Sequence, residues 1–229
     1  MMKALLKLAD NRRKNSLATK LRKKRFSLFK SLISALPKPL NILDVGGTTT
    51  FWEMMDFINE PNIKITILNK SVIDVHYPTI CQHVGDARKM DEFKDNEFDV
   101  VFSNSVIEHV GDFEQQLQMA NEIKRVGKTY YLQTPNYYFP IEPHFLFPFY
   151  QFIPRQIKLL LVQNLNLGWY QKIKDRQRAV DTIDSIKLLT KSKLITLFPD
   201  ANLYHEKIFG LTKSFILIGR SQIQQGFDE

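Results

Sequence analysis

Cysteine is almost missing: Cys81 stands alone among 229 residues, which excludes an intrachain disulfide and a multi-cysteine zinc site and favours a reducing compartment. No apolar run approaches the roughly 20 residues of a membrane-spanning helix. No uninterrupted apolar block follows the N-terminal lysines and arginines either, so neither a span nor a secretory signal is expected. Sequence repeats and low-complexity tracts are absent. What is present is globular, with 44% hydrophobic and 24% charged residues, enough for a domain with a substantial core. A cytoplasmic protein is expected.

The formal charge of +8 is confined to one end. Residues 1–38 hold twelve Lys and Arg against the single acid Asp10, a net +11, which leaves 20 basic and 23 acidic residues, a net −3, in residues 39–229. Within the extension Leu17, Leu21, Leu28, Leu32, Phe29, Ile33 and Leu36 recur at helical spacing until Pro37 and Pro39, the pattern of an amphipathic helix. Three uses compete: docking over one end of the core, adsorption of residues 1–36 to an anionic membrane at its inner face, and phosphate contact with nucleic acid. Phe26 and Phe29 beside Arg22–Arg25 favour the membrane over nucleic acid.

After Pro39, the runs Asn41–Val45, Ile63–Leu68, Ile80–Val84, Phe98–Ser103 and Thr129–Gln133 predict strands, with helices at Thr50–Ile58 and Asp112–Arg125. That alternation implies parallel pairing. Ser185–Phe198 predicts another helix, and Ala201–Phe209 and Ser214–Arg220 predict a hairpin across Gly210–Lys213, hence an antiparallel end to the sheet. Residues 137–180 break the alternation: eight aromatics lie between Tyr137 and Ile153, interrupted by Pro140, Pro143 and Pro148. The expected organisation is a basic helical extension (1–38), a cofactor-binding core (39–136), an aromatic lid or substrate insertion (137–180), the rest of the core (181–220) and a tail (221–229).

Strand Asn41–Val45 runs into Gly46 and Gly47 and then a helix, so the backbone can turn sharply against a ligand. The Gly-x-Gly-x-x-Gly of a dinucleotide site is missing. Leu43-Asp44-Val45-Gly46-Gly47, then Val84-Gly85-Asp86-Ala87, then Phe98 to Val110 resemble, in order, the cofactor motifs of class I S-adenosylmethionine-dependent methyltransferases. The resemblance covers residues 40–220. It implies a Rossmann-like, doubly wound, mostly parallel seven-stranded α/β sheet with a C-terminal antiparallel strand. It also implies S-adenosylmethionine as cofactor and S-adenosylhomocysteine as product. Carried over by position, it puts Asp44, Gly46, Gly47 and Thr48 near the methionine portion, Asn69 at the ribose, and Asp86 and Ala87 against adenine. Ser103, Asn104 and His109 border the transfer face. Asn69 departs from the acidic residue usual at the end of the second strand, which implies weaker hydrogen bonds to the ribose hydroxyls.

Thr134-Pro-Asn-Tyr-Tyr-Phe-Pro-Ile-Glu142-Pro-His144 follows the fifth strand, at the edge where open sheets bind ligands, and resembles a Thr-Pro-Asn…Pro-x-Glu-x-His stretch of a bacterial methyltransferase subgroup. Methyl transfer to a hydroxyl needs alignment and a base. His144 is the leading candidate base, against a hydrogen-bonded structural histidine, and Glu142 is a second catalytic candidate, against the reading that it orients a backbone amide or the histidine. No metal site is expected, since Glu108 and His109 are adjacent and point apart, although His109, Glu142 and His144 could gather through folding. The expected activity is methyl transfer to an oxygen of a small-molecule, saccharide- or lipid-linked acceptor. A non-catalytic binding protein and a nucleic-acid methyltransferase are the alternatives; the acidic core disfavours nucleic acid.

Overall fold

Residues 6, 7, 9, 10, 13 and 15–221 are described by a computed structural model; the other residues of the 1–38 extension and 222–229 of the tail lie outside the described residues. Helix α1, Leu17–Ser34, is capped by the Ser16 hydroxyl, which accepts from the Thr19 amide at 3.0 Å, satisfying one of the free donors of a first turn. Its three-and-four spacing buries Phe26, Phe29 and Ile33, and leaves Lys20, Lys23, Lys24 and Lys30 exposed.

The main sheet contains β1 (Leu40–Val45), β2 (Ile63–Asn69), β3 (Ile80–Val84), β4 (Phe98–Asn104), β5 (Gly127–Pro135), β8 (Asn202–Ile208) and β9 (Leu211–Arg220). Their order is β3-β2-β1-β4-β5-β9-β8, with β1 to β5 parallel and β9 antiparallel to both its neighbours. The order reverses between β1 and β4, so their carboxyl ends open the crevice that such sheets use for ligands. Helix α2 (Thr49–Met54) follows β1, and α3 (Phe113–Val126) joins β4 to β5. α3 begins at a capping box, Asp112 with Gln115, and ends with Lys124 and Arg125 against its negative pole.

One face of the sheet packs on α3 and on α6 (Lys191–Leu197). The other packs on α1 and α2, where the Phe29 ring lies 4.8 Å from Phe102 and 5.4 Å from Tyr131. Phe26 and Phe29 are therefore core residues and are not available to insert into a membrane. Arg25, midway along the helix, donates from one guanidinium nitrogen to both Glu206 carboxylate oxygens at 2.8 and 2.9 Å, and Lys213 joins at 3.1 Å.

The insertion holds the small ladder β6 (Ile141–Glu142) with β7 (Phe147–Pro148), and helices α4 (Arg155–Asn164) and α5 (Arg176–Asp184). It has its own apolar cluster, centred on Phe145, Tyr150, Val162, Leu167, Ala179 and Ile183.

Three elements differ from expectation. α2 stops at Met54, because Asp56 turns left-handed at φ 51°. The helix expected over Ser185–Phe198 forms only from Lys191. The backbone before it is engaged elsewhere: the Lys187 amide donates to the Glu108 carbonyl at 2.8 Å, and Tyr137 donates to the Leu189 carbonyl at 3.0 Å. The hairpin turn shrinks to Phe209-Gly210, both at positive φ, a two-residue turn whose twist matches paired strands.

Candidate active site

At the end of β1 the Gly46 amide donates to the Leu68 carbonyl at 2.7 Å with φ 75°. A Cβ there would meet Val106 at 2.6 Å, and a Cβ on Gly47 would overlap the Asp44 carboxylate. Only glycine fits either position, and the turn leaves a cleft of ≈ 250 Å³ walled by Gly46, Asn69, Ala87, Ser105 and His109. Leu68, Val106 and Val110 supply its apolar sides.

Asp44 sits behind that turn. It is 1% exposed, and its Oδ2 accepts from the Trp52 indole at 2.7 Å; burial pushes its carboxyl up to about 7. Thr48 precedes α2 as an extended residue whose hydroxyl makes no cap bond. Asn69 Nδ2 donates to the Gly47 carbonyl at 3.1 Å, so the amide braces the glycine turn and keeps Oδ1 for a ligand. A carboxylate could not make that bond, which gives the departure at this position a structural reason. Asp86 is held by Arg88 at 2.5 Å, and that hydrogen bond keeps its carboxyl down at about 2. Ser103 is buried in β4 and Asn104 ends it. The cleft is reached instead by Ser105, which sequence reasoning missed. Its left-handed backbone (φ 60°) is pinned by an amide bond to the Gln133 carbonyl and a hydroxyl bond to Gln133 Oε1, each 2.9 Å. Nothing in the local sequence marks that bend.

A row of titratable groups leads away from the cleft wall. Glu142, in β6, takes the amides of His144 and Phe145 on Oε2 at 2.9 and 2.7 Å, and meets His144 Nδ1 with Oε1 at 2.6 Å. His144 Nε2 lies 3.0 Å from His109 Nε2, with the rings at 89°. Burial pulls the His144 imidazolium down, but the hydrogen bond and charge of Glu142, with help from Glu108, raise its pKa above the ordinary 6.5. Burial and the neighbouring His144 pull His109 down to about 4. The backbone of Ser185 and the charge of Glu142 act the other way, without outweighing them. The 3.0 Å contact is a hydrogen bond between the two rings whose donor is set by their tautomers.

Glu108 closes the back of the row. It is fully buried, its Oε2 accepts from the Thr134 hydroxyl at 2.9 Å, and its Oε1 has no partner. Burial pushes its carboxyl up to about 7. Folding gathers all three residues that could have met, His109, His144 and Glu142, while the three with one possible metal-binding atom each within 4.8 Å of the others are Glu108, His109 and His144.

Comparison with known proteins fits this architecture. A family model described as a methyltransferase domain matches residues 61–129. The uncharacterized proteins MT1557 and Rv1509 of Mycobacterium tuberculosis are 32% identical over 65 residues, 28% of this chain and 22% of theirs; the match thus spans about a fifth of those relatives. Among solved structures, the N-terminal domain of EvdMO1, crystallised in the presence of S-adenosylhomocysteine and D-fucose, superposes with TM-score 0.54 at 14% identity, over 88% of this chain and 83% of that one. The CurJ carbon methyltransferase gives 0.54 at 10% identity over 87% and 54%. An S-adenosylmethionine-dependent methyltransferase of Methanosarcina mazei gives 0.51 at 13% over 83% and 96%. The sheet order, the family match and these structures define the class: the chain has the class I S-adenosylmethionine-dependent methyltransferase fold. Among the described residues no helix is long and apolar enough to cross a membrane.

Proposed function

We propose that this protein transfers a methyl group from S-adenosylmethionine to a hydroxyl oxygen of a small-molecule, saccharide- or lipid-linked acceptor. The observation that carries the reading is the Glu142–His144–His109 row, which ends on a wall of the cleft formed by the glycine turn. The cleft suits the cofactor. Gly46 and Gly47 form a cradle that a Cβ would fill, Ala87, Leu68 and Val110 offer an apolar slot of the kind adenine needs, and Asn69 Oδ1 is free to accept from ribose hydroxyls. When bound, S-adenosylmethionine supplies a sulfonium-activated methyl group.

The protein's own work is alignment and proton removal. The base form is neutral His144, whose unprotonated Nε2 takes the proton of the acceptor hydroxyl as that oxygen receives the methyl group. Glu142 then stabilises the imidazolium through its 2.6 Å contact with Nδ1, the orienting role a carboxylate plays beside a catalytic histidine. Glu108 and Thr134 hold the turn that carries His109. The test is transfer of isotopically labelled methyl to a pool of hydroxylated acceptors in excess chelator. Wild-type turnover that persists with chelator and falls in His144→Ala supports the reading. Turnover that stops with chelator and returns with a divalent cation transfers the role to a metal at Glu108, His109 and His144.

Peripheral membrane contact rests on the exposed lysines of α1, because its phenylalanines are buried. Cosedimentation with phosphatidylserine vesicles should weaken when Lys20, Lys23, Lys24 and Lys30 are changed to Gln; unchanged binding removes the idea.

A further inference from the structure

A second cavity, of ≈ 340 Å³, opens in the insertion on the far side of Glu142. Its apolar wall is Phe145, Tyr150 and Ile183, taken from the insertion's own core. Four cations line it: Arg155, Lys158, Lys187 and Lys193. Of the acids there, Asp184 is paired with Arg155 at 2.5 Å and reached by Lys187 at 3.5 Å, and Glu142 is turned to His144. Among the described residues neither Lys158 nor Lys193 has a carboxylate at ion-pair distance. Lys158 Nζ lies 5.3 Å from the Tyr150 ring centre and donates to the Gln151 carbonyl at 3.2 Å; Lys193 Nζ lies 5.6 Å from the Phe113 ring centre.

Two buried polar atoms on the same wall lack any partner, the Tyr150 hydroxyl and Gln151 Oε1. Tyr150 is 3% exposed. The Gln151 amide cannot be flipped to relieve its oxygen, because Nε2 donates to the Tyr137 and Phe139 carbonyls at 2.9 and 2.8 Å. Oε1 has no donor among the described residues. Burial pushes the Tyr150 phenol well above its usual value, so it stays a neutral hydroxyl able to give or accept. Orphaned groups of this kind are costly and call for an explanation.

Lysines without a carboxylate at ion-pair distance suit an anion, the glutamine oxygen suits a hydroxyl donor, and the tyrosine accepts either. We infer that this cavity binds a small anion that also carries hydroxyl groups, of the chemical class of a sugar phosphate, as the acceptor or its anionic end. The inference rests on the methyltransferase reading above, because Glu142, which lines this cavity, is the residue that contacts His144.

The test is calorimetric titration of the full chain with glucose 6-phosphate, glucose and inorganic phosphate, and separately with S-adenosylhomocysteine. Glucose 6-phosphate should bind at least about tenfold more tightly than either fragment, a difference of about 1.4 kcal/mol. The double variant Lys158→Met, Lys193→Met and the single variant Gln151→Leu should each lose about tenfold while S-adenosylhomocysteine affinity is kept. Equal affinities for glucose 6-phosphate and glucose, or variants that leave sugar phosphate binding untouched, overturn the inference. S-adenosylhomocysteine binding without sugar phosphate binding overturns this inference alone. Failure of both overturns the methyltransferase reading with it.

Discussion

Gly46 and Gly47 form a turn within one short motif, with Asp44 of the same motif beneath it, Val106 against it and Asn69 bracing its carbonyl. Glu142, His144 and His109 meet in the opposite way, through a two-strand ladder that leaves β5, folds on its own apolar cluster and returns a histidine to a turn 35 residues earlier in the chain. The first region is shaped by backbone sterics and the second by paired charges. Binding and turnover should therefore respond to different substitutions, and the two regions should be separable in the same protein.

The largest separation is expected at the histidine pair. His144→Ala should lower kcat by about 10²- to 10⁴-fold, the usual worth of a general base. S-adenosylhomocysteine affinity, measured by calorimetry, should stay within about threefold. A parallel loss of affinity would show that the two regions act as one.

Next in size is the pH profile. Glu142 raises the His144 pKa, and the base form exists only above that pKa. The rate constant kcat/KM should therefore rise with pH, by about tenfold per unit on the acid limb, and level off above the pKa of His144. In Glu142→Gln the raising charge is gone and burial remains, so the midpoint should move to lower pH by about one unit or more. An unmoved midpoint would assign the titration to another group.

The smallest effect is expected at Asn69. A carboxylate in Asn69→Asp gains charge-assisted bonds to ribose hydroxyls and loses the 3.1 Å bond to the Gly47 carbonyl, two effects of similar size. S-adenosylhomocysteine affinity should rise by less than about fivefold. A gain of tenfold or more would show that the brace contributes nothing.

The same contrast explains what the sequence made legible. Strands β1 to β5 are buried apolar runs, and their motifs are contiguous, so both the sheet and the glycine turn could be read locally. The pairing of β9 with β5 followed from a hairpin signal, although the turn tightened to Phe209-Gly210. The segment before Lys191 was misread as helix because its backbone donors and acceptors are taken by Glu108 and by the chain leaving β5. A periodicity argument does not register such long-range bonds. Asp44 was expected at the ligand, but Trp52, eight residues on, holds its carboxylate behind the turn. His144 and Glu142 were visible as candidates, yet their partner His109 and the acid Glu108 behind them come together only through the tertiary fold. Phe26 and Phe29 show the same limit from another side: beside arginines they read as a membrane face, and they pack on Phe102 and Trp52 instead.

The central claim is that the rim of the sheet at Gly46 and Gly47 receives the nucleoside of S-adenosylmethionine. Calorimetric titration of the full chain with S-adenosylhomocysteine, beside the Gly47→Ala variant whose Cβ overlaps the Asp44 carboxylate, tests it most directly. One site per wild-type chain and a loss of about tenfold or more in the variant are the results predicted. A folded wild-type protein that takes up no S-adenosylhomocysteine, or a Gly47→Ala protein that binds it undiminished, would contradict the account.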